Sequence, residues 1–133
     1  MTYSISQVAK KMNLTPFTLR YYDKEGILSP NRTEKGIRYF TEADLEQLEM
    51  ICCLKNTGMS IKDIKRYFEL CRMGDGTLAM RMEIFTSHRD HILEEMKALE
   101  SFLCKINEKI NWYQTYIDQK KTAIRQEDTT NET

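Results

Sequence analysis

Apolar residues recur at helical spacing in four short segments, and each segment begins at a residue type that favours helix N-caps. Ser4, Thr15, Thr41 and Ser60 hold these positions. Pro16 follows Thr15 at a first helical position, where its missing backbone N–H costs nothing. The pattern predicts four helices. Their apolar residues are Ile5, Val8, Ala9 and Met12 in the first, Phe17, Leu19 and Tyr22 in the second, Leu45, Leu48, Ile51 and Leu54 in the third, and Ile61, Ile64, Tyr67 and Phe68 in the fourth.

Between the second and third predicted helices the pattern changes. The second helix should end near Gly26, because glycine readily adopts the left-handed conformation that ends helices. Residues 28–40 read LSPNRTEKGIRYF, with apolar or aromatic flanks around a turn that contains Gly36. This arrangement predicts a short β-hairpin.

Further along the chain, apolar residues alternate at spacings of three and four, the pattern of a coiled-coil seam. Only Lys120 interrupts this stripe between Ile92 and Ile124. At ~1.5 Å per residue the stripe would extend over about 48 Å, which is too long to be covered by a domain of about 75 residues. We therefore expect a second chain to cover it. The predicted interface residues are Ile92, Met96, Leu99, Leu103, Ile106, Ile110, Tyr113 and Ile117.

The charges balance, with 20 Lys/Arg and 20 Asp/Glu in 133 residues, but they are unevenly distributed. Residues 1–40 contain seven Lys/Arg and three Asp/Glu, and this local surplus permits contact with nucleic acid. No apolar run approaches the roughly 18 residues of a membrane span, and the N-terminus MTYSISQ lacks the features of a signal peptide. We therefore expect a cytoplasmic protein whose four cysteines are reduced.

An enzyme is a poor match to this sequence, which has no Gly-rich phosphate loop and no nucleophile motif. His88 and His91, with Asp90 between them, could form half of a metal or acid–base site. No second cluster of ligands occurs at a fixed spacing, however. We expect neither catalysis, nor a cofactor, nor a bound metal.

The segment TLRYYDKEGILSPNRTEKGIRYFT, from Thr18 to Thr41, resembles the winged helix-turn-helix signature of the MerR family of bacterial transcription regulators. The departures from that signature are Asp23, Ile27, Ile37 and Phe40. The resemblance implies a mainly α fold with a winged helix-turn-helix DNA-binding domain at residues 1–72, a connection at 73–77 and a coiled-coil dimerisation helix at 78–125. The polar residues at the end of the chain predict a flexible tail at 126–133. The residues that match the signature are Thr18, Leu19, Arg20, Tyr21, Tyr22, Gly26, Leu28, Pro30, Arg32, Gly36 and Arg38.

The resemblance and the residue types together predict a DNA-contacting face on the second helix and the hairpin. Threonine, arginine and tyrosine can reach phosphates and base edges in a major groove, and a basic hairpin can straddle the adjacent backbone. Tyr22 shares a helical face with Leu19, so we expect it to be half core and half phosphate contact. The predicted DNA contacts are Thr15, Thr18, Arg20, Tyr21, Tyr22, Arg32, Lys35 and Arg38.

The family resemblance also implies a mechanism. MerR-like homodimers, joined by an antiparallel coiled coil, bind pseudo-palindromes in promoters whose spacer between the two polymerase-binding elements is too long. An effector-driven change bends and untwists this DNA so that polymerase engages both elements. The implied partners are double-stranded promoter DNA, a second copy of the chain and RNA polymerase.

Two adjacent cysteines lie in the third predicted helix. At ~100° per residue, Cys52 falls on the apolar face with Leu48, whereas Cys53 falls outside it. Cys52 is therefore predicted to be a core residue. The stretch CLKNTG, which begins at Cys53, resembles the electrophile- and aldehyde-sensing (NmlR/AdhR-like) branch of the family and implies that Cys53 is the sensing thiol. Two alternatives stay open: both cysteines are merely packed, or the protein responds to metal ions through Cys and His ligands at the dimer interface.

Overall fold

The computed structural model describes the backbone of residues 1–131 and the side chains of residues 1–127. Its elements are mostly helical, with one small antiparallel sheet and a single 3-10 turn at Asp75–Thr77 before the last helix. In chain order they are β1 (Thr2–Ser4), α1 (Ile5–Met12), α2 (Pro16–Lys24), β2 (Asn31–Arg32), β3 (Arg38–Thr41), α3 (Glu42–Asn56), α4 (Ile61–Arg72) and α5 (Leu78–Asn131).

The four predicted helix starts are confirmed. At each one, a backbone N–H three residues further on donates to the side-chain hydroxyl of the cap. At Ser4 and Thr41 the bond is reciprocal, because the side chains of Gln7 and Asp44 accept from the backbone N–H of the cap residue. These bonds satisfy donors that the first helical turn would otherwise leave without partners.

The hairpin predicted at residues 28–40 is confirmed as β2 and β3, and Gly36 supplies the left-handed turn residue with φ of 83°. The structure also contains β1, which the sequence pattern did not predict. β1 pairs with β3 in antiparallel register, with Tyr3 opposite Phe40, so that β3 is the middle strand of the order β1-β3-β2. Three residues are too few to show an alternating pattern, and their partner strand is distant in the chain.

An apolar core lies within residues 1–89, between α1–α4 and β3. The side chains of Leu19, Phe40, Leu48 and Ile64 are all 0% exposed. Phe17 differs from them, because 75% of its surface is exposed. Grouping Phe17 with the apolar face of its helix is therefore wrong: it lies roughly 160° around α2 from Leu19.

The chain divides into two compact units, of which the first is Met1–Arg89 and the second begins at Asp90. As far as it is described, the second unit is one continuous helix. The backbone of α5 is helical through Asn131, which includes the start of the tail predicted from its polar residues; residues 132–133 lie outside the described residues. Because no Gly or Pro follows Gly76, the sequence contains no residue that would strongly interrupt this helix.

Candidate nucleic-acid interface and reactive cysteine

Five of the predicted DNA contacts, Thr15, Thr18, Arg20, Tyr21 and Tyr22, lie on α2 and its N-cap. Thr15 Oγ1 accepts from the Thr18 N–H at 3.1 Å and lies 2.9 Å from Thr18 Oγ1, so these two hydroxyls help to hold the first turn of the helix. Arg20 is exposed, and its guanidinium has no hydrogen-bond or ion-pair partner among residues 1–127. Tyr21 is also exposed. The guanidinium and the phenol are therefore available to phosphates or base edges.

Tyr22 does not share this availability. Its side chain is 0% exposed and packs in the core, and its hydroxyl has no hydrogen-bond partner in the described structure. The prediction that Tyr22 is half exposed and contacts a phosphate is therefore wrong for this conformation, because a side chain without accessible surface cannot reach DNA. Tyr22 lies on the same face of α2 as Leu19, and core packing decides its place.

The two hairpin arginines converge on one carboxylate of α2. Asp23 Oδ2 accepts from Arg32 Nη2 at 3.0 Å and from Arg38 Nε at 2.7 Å. Lys35, near the tip of the hairpin, is exposed and has no such partner among the described side chains. The ion pairs hold the hairpin against α2, although Asp23 and Arg38 are 15 residues apart in the sequence. Sequence reasoning treated Asp23 only as a departure from a signature and missed this role, since the pairing depends on tertiary structure.

The two cysteines of α3 lie in different surroundings. Cys53, in the last turn of the helix, is exposed, whereas Cys52 is only half-buried and does not belong to the buried core. The prediction that Cys52 is a core residue is therefore only partly right, because its side chain is half-buried and not fully buried. Burial raises the pKa of the Cys52 thiol above its ordinary value, and the nearby Lys55 ammonium opposes that rise. Access thus favours Cys53 for a reaction with an external reagent.

The backbone at Cys53 is linked to α5 through Thr57, the C-cap residue of α3. Thr57 Oγ1 lies 2.7 Å from the Cys53 carbonyl oxygen, 3.2 Å from that of Leu54 and 2.7 Å from His88 Nε2. A hydroxyl has one proton, so donating it to the Cys53 carbonyl leaves the oxygen to accept from the Nε2–H of His88. Neither residue was predicted to take part in the site, and no local motif would have indicated the pair.

A third cysteine has a charged neighbour. Arg81 Nη1 lies 3.9 Å from Cys71 Sγ, and Cys71 is half-buried at the end of α4. Tyr67 lies beside it: burial raises the pKa of the Tyr67 hydroxyl, and its hydrogen bond to Cys71 adds to the rise. Cys71 lines a cleft of about 600 Å³ together with Met50 and Tyr67. A small electrophile could therefore also encounter this thiol.

The predicted interface stripe of α5 is exposed in the single chain. Leu99 is 66% exposed and Ile110 is 57% exposed, and only Ile92 among the stripe residues is half-buried. Aliphatic side chains left in water in such number call for a covering surface. The exposed members of the predicted interface are Met96, Leu99, Leu103, Ile106, Ile110, Tyr113 and Ile117.

The described residues contain neither a metal-binding cluster nor a membrane-spanning helix. No group of three or more His, Cys, Asp or Glu side chains among them could hold a metal ion. None of the described helices is long and apolar enough to cross a membrane.

Comparison with known proteins places these features in a family. The profile of the MerR HTH family regulatory proteins matches residues 3–71, which include α1 to α3, all of α4 but its last residue, and the sheet from Tyr3 onward. A second profile, described as MerR, DNA binding, matches residues 45–108. The chain belongs to the MerR family.

Individual MerR-family relatives agree along most of the chain. An HTH-type transcriptional regulator of Haemophilus influenzae is 42% identical over 116 residues, which cover 86% of this chain and 85% of that protein. The HTH-type transcriptional regulator AdhR of Bacillus subtilis is 39% identical over 92 residues, covering 68% of this chain and 66% of AdhR. The relatives are named as regulators, not enzymes, and they place this chain in the NmlR/AdhR-like branch.

A solved MerR structure supports the same assignment. The crystal structure of HiNmlR, a MerR family regulator lacking the sensor domain and bound to promoter DNA, superposes with a TM-score of 0.79 at 40% identity. The match covers 86% of this chain and 92% of that one. The predicted family and fold class, a mainly α chain with a winged helix-turn-helix and a long C-terminal helix, are thus confirmed.

Proposed function

We propose that this MerR-family chain binds promoter DNA as a homodimer and switches transcription by distorting that DNA when a reactive electrophile or aldehyde modifies Cys53. The similarity to HiNmlR, whose structure was solved on promoter DNA, is the observation that carries the DNA-binding part. The exposure of Cys53 supports the sensing part. Such a regulator works in the cytoplasm, where it meets both the promoter and RNA polymerase.

The DNA-contacting face consists of Thr15, Thr18, Arg20 and Tyr21 on the helix side and Arg32, Lys35 and Arg38 on the hairpin. In this proposal the helix residues enter a major groove, and the hairpin residues meet the flanking backbone. Arg32 and Arg38 also hold the hairpin against α2 through Asp23, so the two parts of the face are presented together.

Replacing Arg20 tests this face. Arg20→Ala should weaken binding to a promoter fragment by ~1–3 kcal/mol, because the substitution removes the guanidinium that makes a base or bidentate phosphate contact. Fluorescence anisotropy measures the change. Lys97→Ala, which removes one positive charge from α5, is the matched control. Equal affinities of wild type and Arg20→Ala would refute the assignment of this helix.

Charge along α5 supports an antiparallel pairing of the two copies. Residues 90–104 contain one Lys/Arg and four Asp/Glu, whereas residues 105–127 contain five Lys/Arg and three Asp/Glu. An antiparallel pair places each acidic segment beside the partner's basic segment, while a parallel pair places like charges together. Complementary charges at the flanks of the apolar seam commonly set the orientation of coiled coils.

Cys53 would act as the nucleophile of the sensing step. Its thiolate sulfur attacks the electron-poor carbon of an aldehyde or quinone. The carbon–sulfur bond forms as the C=O π bond of the aldehyde or a C=C π bond of the quinone breaks, and the reagent takes up that electron pair together with the proton lost from the thiol. No oxidant is needed. The adduct adds bulk at the last turn of α3, where the Cys53 carbonyl is bonded to Thr57 and Thr57 to His88. The Thr57–His88 hydrogen bond would therefore transmit the disturbance to α5.

Single substitutions separate these steps in an in vitro transcription assay with RNA polymerase and benzoquinone or formaldehyde. Cys53→Ala should bind the promoter normally but no longer respond to the reagent. Thr57→Val should still form the adduct, which mass spectrometry detects, but respond weakly. Cys71→Ala is the control, because its thiol lies beside Arg81. A full transcriptional response by Cys53→Ala would refute the sensing role of Cys53. If Cys71→Ala lost the response instead, Cys71 would be the sensing thiol.

A further inference from the structure

Phe17 is an aromatic side chain that the fold leaves in water. It is the second residue of α2, and 75% of its surface is exposed, whereas Leu19 of the same helix is 0% exposed. Single exposed apolar residues are common on protein surfaces, so exposure alone assigns nothing. The neighbours of Phe17 on the helix surface decide what it can do.

Those neighbours are cationic or hydrogen-bonding groups. At ~100° per residue, Tyr21 lies about 40° and Lys24 about 20° around the helix from Phe17, and Arg20 about 60° away. All three side chains are exposed. Phe17 thus lies at the N-terminal end of a strip of α2 that carries two cations and a phenol, a composition suited to a phosphate-lined groove.

The base edges of a major groove offer one apolar feature, the C5 methyl group of thymine. Residues in the first turn of the second helix of a helix-turn-helix are those that meet base edges. The phenyl ring has no hydrogen-bonding group, so among these edge features it can gain only from the methyl. We propose that Phe17 packs against a thymine methyl in each operator half-site and so determines sequence specificity, an inference that rests on the proposed entry of α2 into the major groove.

The other strongly exposed apolar residue on the proposed DNA-contacting side is Ile37, which is 61% exposed near the tip of the hairpin. A hairpin that flanks the groove meets backbone and minor groove, and the minor groove displays no methyl group. Ile37→Ala is therefore a matched control: it removes a comparable exposed apolar side chain from the same unit without touching α2.

Replacing thymine by uracil tests the contact, because uracil keeps every hydrogen-bonding group and lacks only the methyl. An operator obtained by binding-site selection from genomic DNA is synthesised with one thymine at a time replaced in one half-site, and affinities are measured by fluorescence anisotropy. For wild type and for Ile37→Ala, replacing thymine by uracil at one position should lower the operator affinity about fourfold, which is the change expected when one buried methyl group is lost. Phe17→Ala should bind the thymine and uracil duplexes equally.

The proposal would be overturned if no replacement of thymine by uracil changed the affinity of the wild-type protein. It would also be overturned if Phe17→Ala still bound the thymine duplex more tightly than the uracil duplex. Arg20→Ala separates this failure from a failure of the proposed function. If Arg20→Ala weakens binding while Phe17→Ala retains the thymine preference, α2 is the DNA-contacting helix and only the role of Phe17 is wrong. If neither substitution changes affinity, α2 does not enter the groove and both proposals fall.

Discussion

The two units of this chain differ in the exposure of their apolar residues. Within residues 1–89, Phe40, Leu48 and Ile64 are each 0% exposed, whereas in the second unit Leu99 and Ile106 are 66% and 56% exposed. The first unit closes its own core. As far as it is described, the second unit is a helix whose stripe side chains are mostly exposed, and their seven-residue periodicity is the pattern that a partner helix covers in a coiled coil. On this difference we assign the buried residues to the folding of the first unit and propose that the exposed stripe joins two chains.

The largest effect should come from placing charge in the stripe. The double variant Ile106→Asp/Ile110→Asp would bury two carboxylates in the seam of the dimer, each at a cost of several kcal/mol without a partner. We expect a folded monomer by light scattering and a large loss of affinity for a two-half-site operator. The control Asn111→Asp/Gln119→Asp adds the same charges off the stripe and should remain dimeric. A dimer of unchanged mass in the first variant would place the interface elsewhere.

A core substitution should act differently from a stripe substitution. Leu48→Ala creates a cavity in the first unit and should lower the free energy of unfolding by ~2–5 kcal/mol, whatever the protein concentration. Leu99→Ala removes the same atoms from the stripe, so its effect should depend on protein concentration, as for any interaction that stabilises only the associated state. Thermal unfolding at two concentrations differing by a hundredfold distinguishes them. Concentration-independent effects of both substitutions would contradict the division into core and interface.

The elements that could be predicted from sequence are those fixed by neighbours in the chain. A capping hydroxyl and the residue three positions on, such as Ser4 and Gln7, make their bonds locally, and the buried stripe of α3 follows from helical spacing. The features that sequence reasoning missed join distant segments: β1 on β3, Asp23 with Arg38, and Thr57 with His88. Their residue types are ordinary, and only the fold brings them together.

The same limit explains two wrong predictions. Phe17 is apolar, which alone predicts a place on the apolar face of its helix, but its angle on the helix points away from the core. The ring of Tyr22 suits a core and its hydroxyl suits a phosphate contact, so its residue type predicts both, but packing places the whole side chain inside. Residue type alone could not decide either case, since exposure depends on what the rest of the fold covers.

A smaller effect should follow from releasing the hairpin. Asp23→Asn removes the carboxylate that Arg32 and Arg38 share, and partly exposed ion pairs of this kind contribute up to ~1 kcal/mol each. We expect operator affinity, measured by anisotropy, to fall by a few-fold because the hairpin is no longer held against α2. Glu34→Gln, which removes one negative charge near the hairpin tip, controls for the general gain in attraction to DNA. Equal affinities of the two variants would show that the tether does not position the hairpin.

The smallest effect is expected inside the first unit, at the buried hydroxyl of Tyr22. Since this hydroxyl has no hydrogen-bond partner in the described structure, Tyr22→Phe removes a desolvated polar group and keeps the packing of the ring. Urea unfolding should show a free energy of unfolding that is equal to that of wild type or higher by about 1 kcal/mol. Operator affinity should not change, because a side chain with no exposed surface cannot contact a phosphate.

Tyr21→Phe is the matched comparison: it removes the same hydroxyl from an exposed neighbour and should weaken binding if that hydroxyl meets DNA. If Tyr22→Phe weakened operator binding while Tyr21→Phe did not, Tyr22 would have to leave the core on the operator, and the first unit would open on binding DNA.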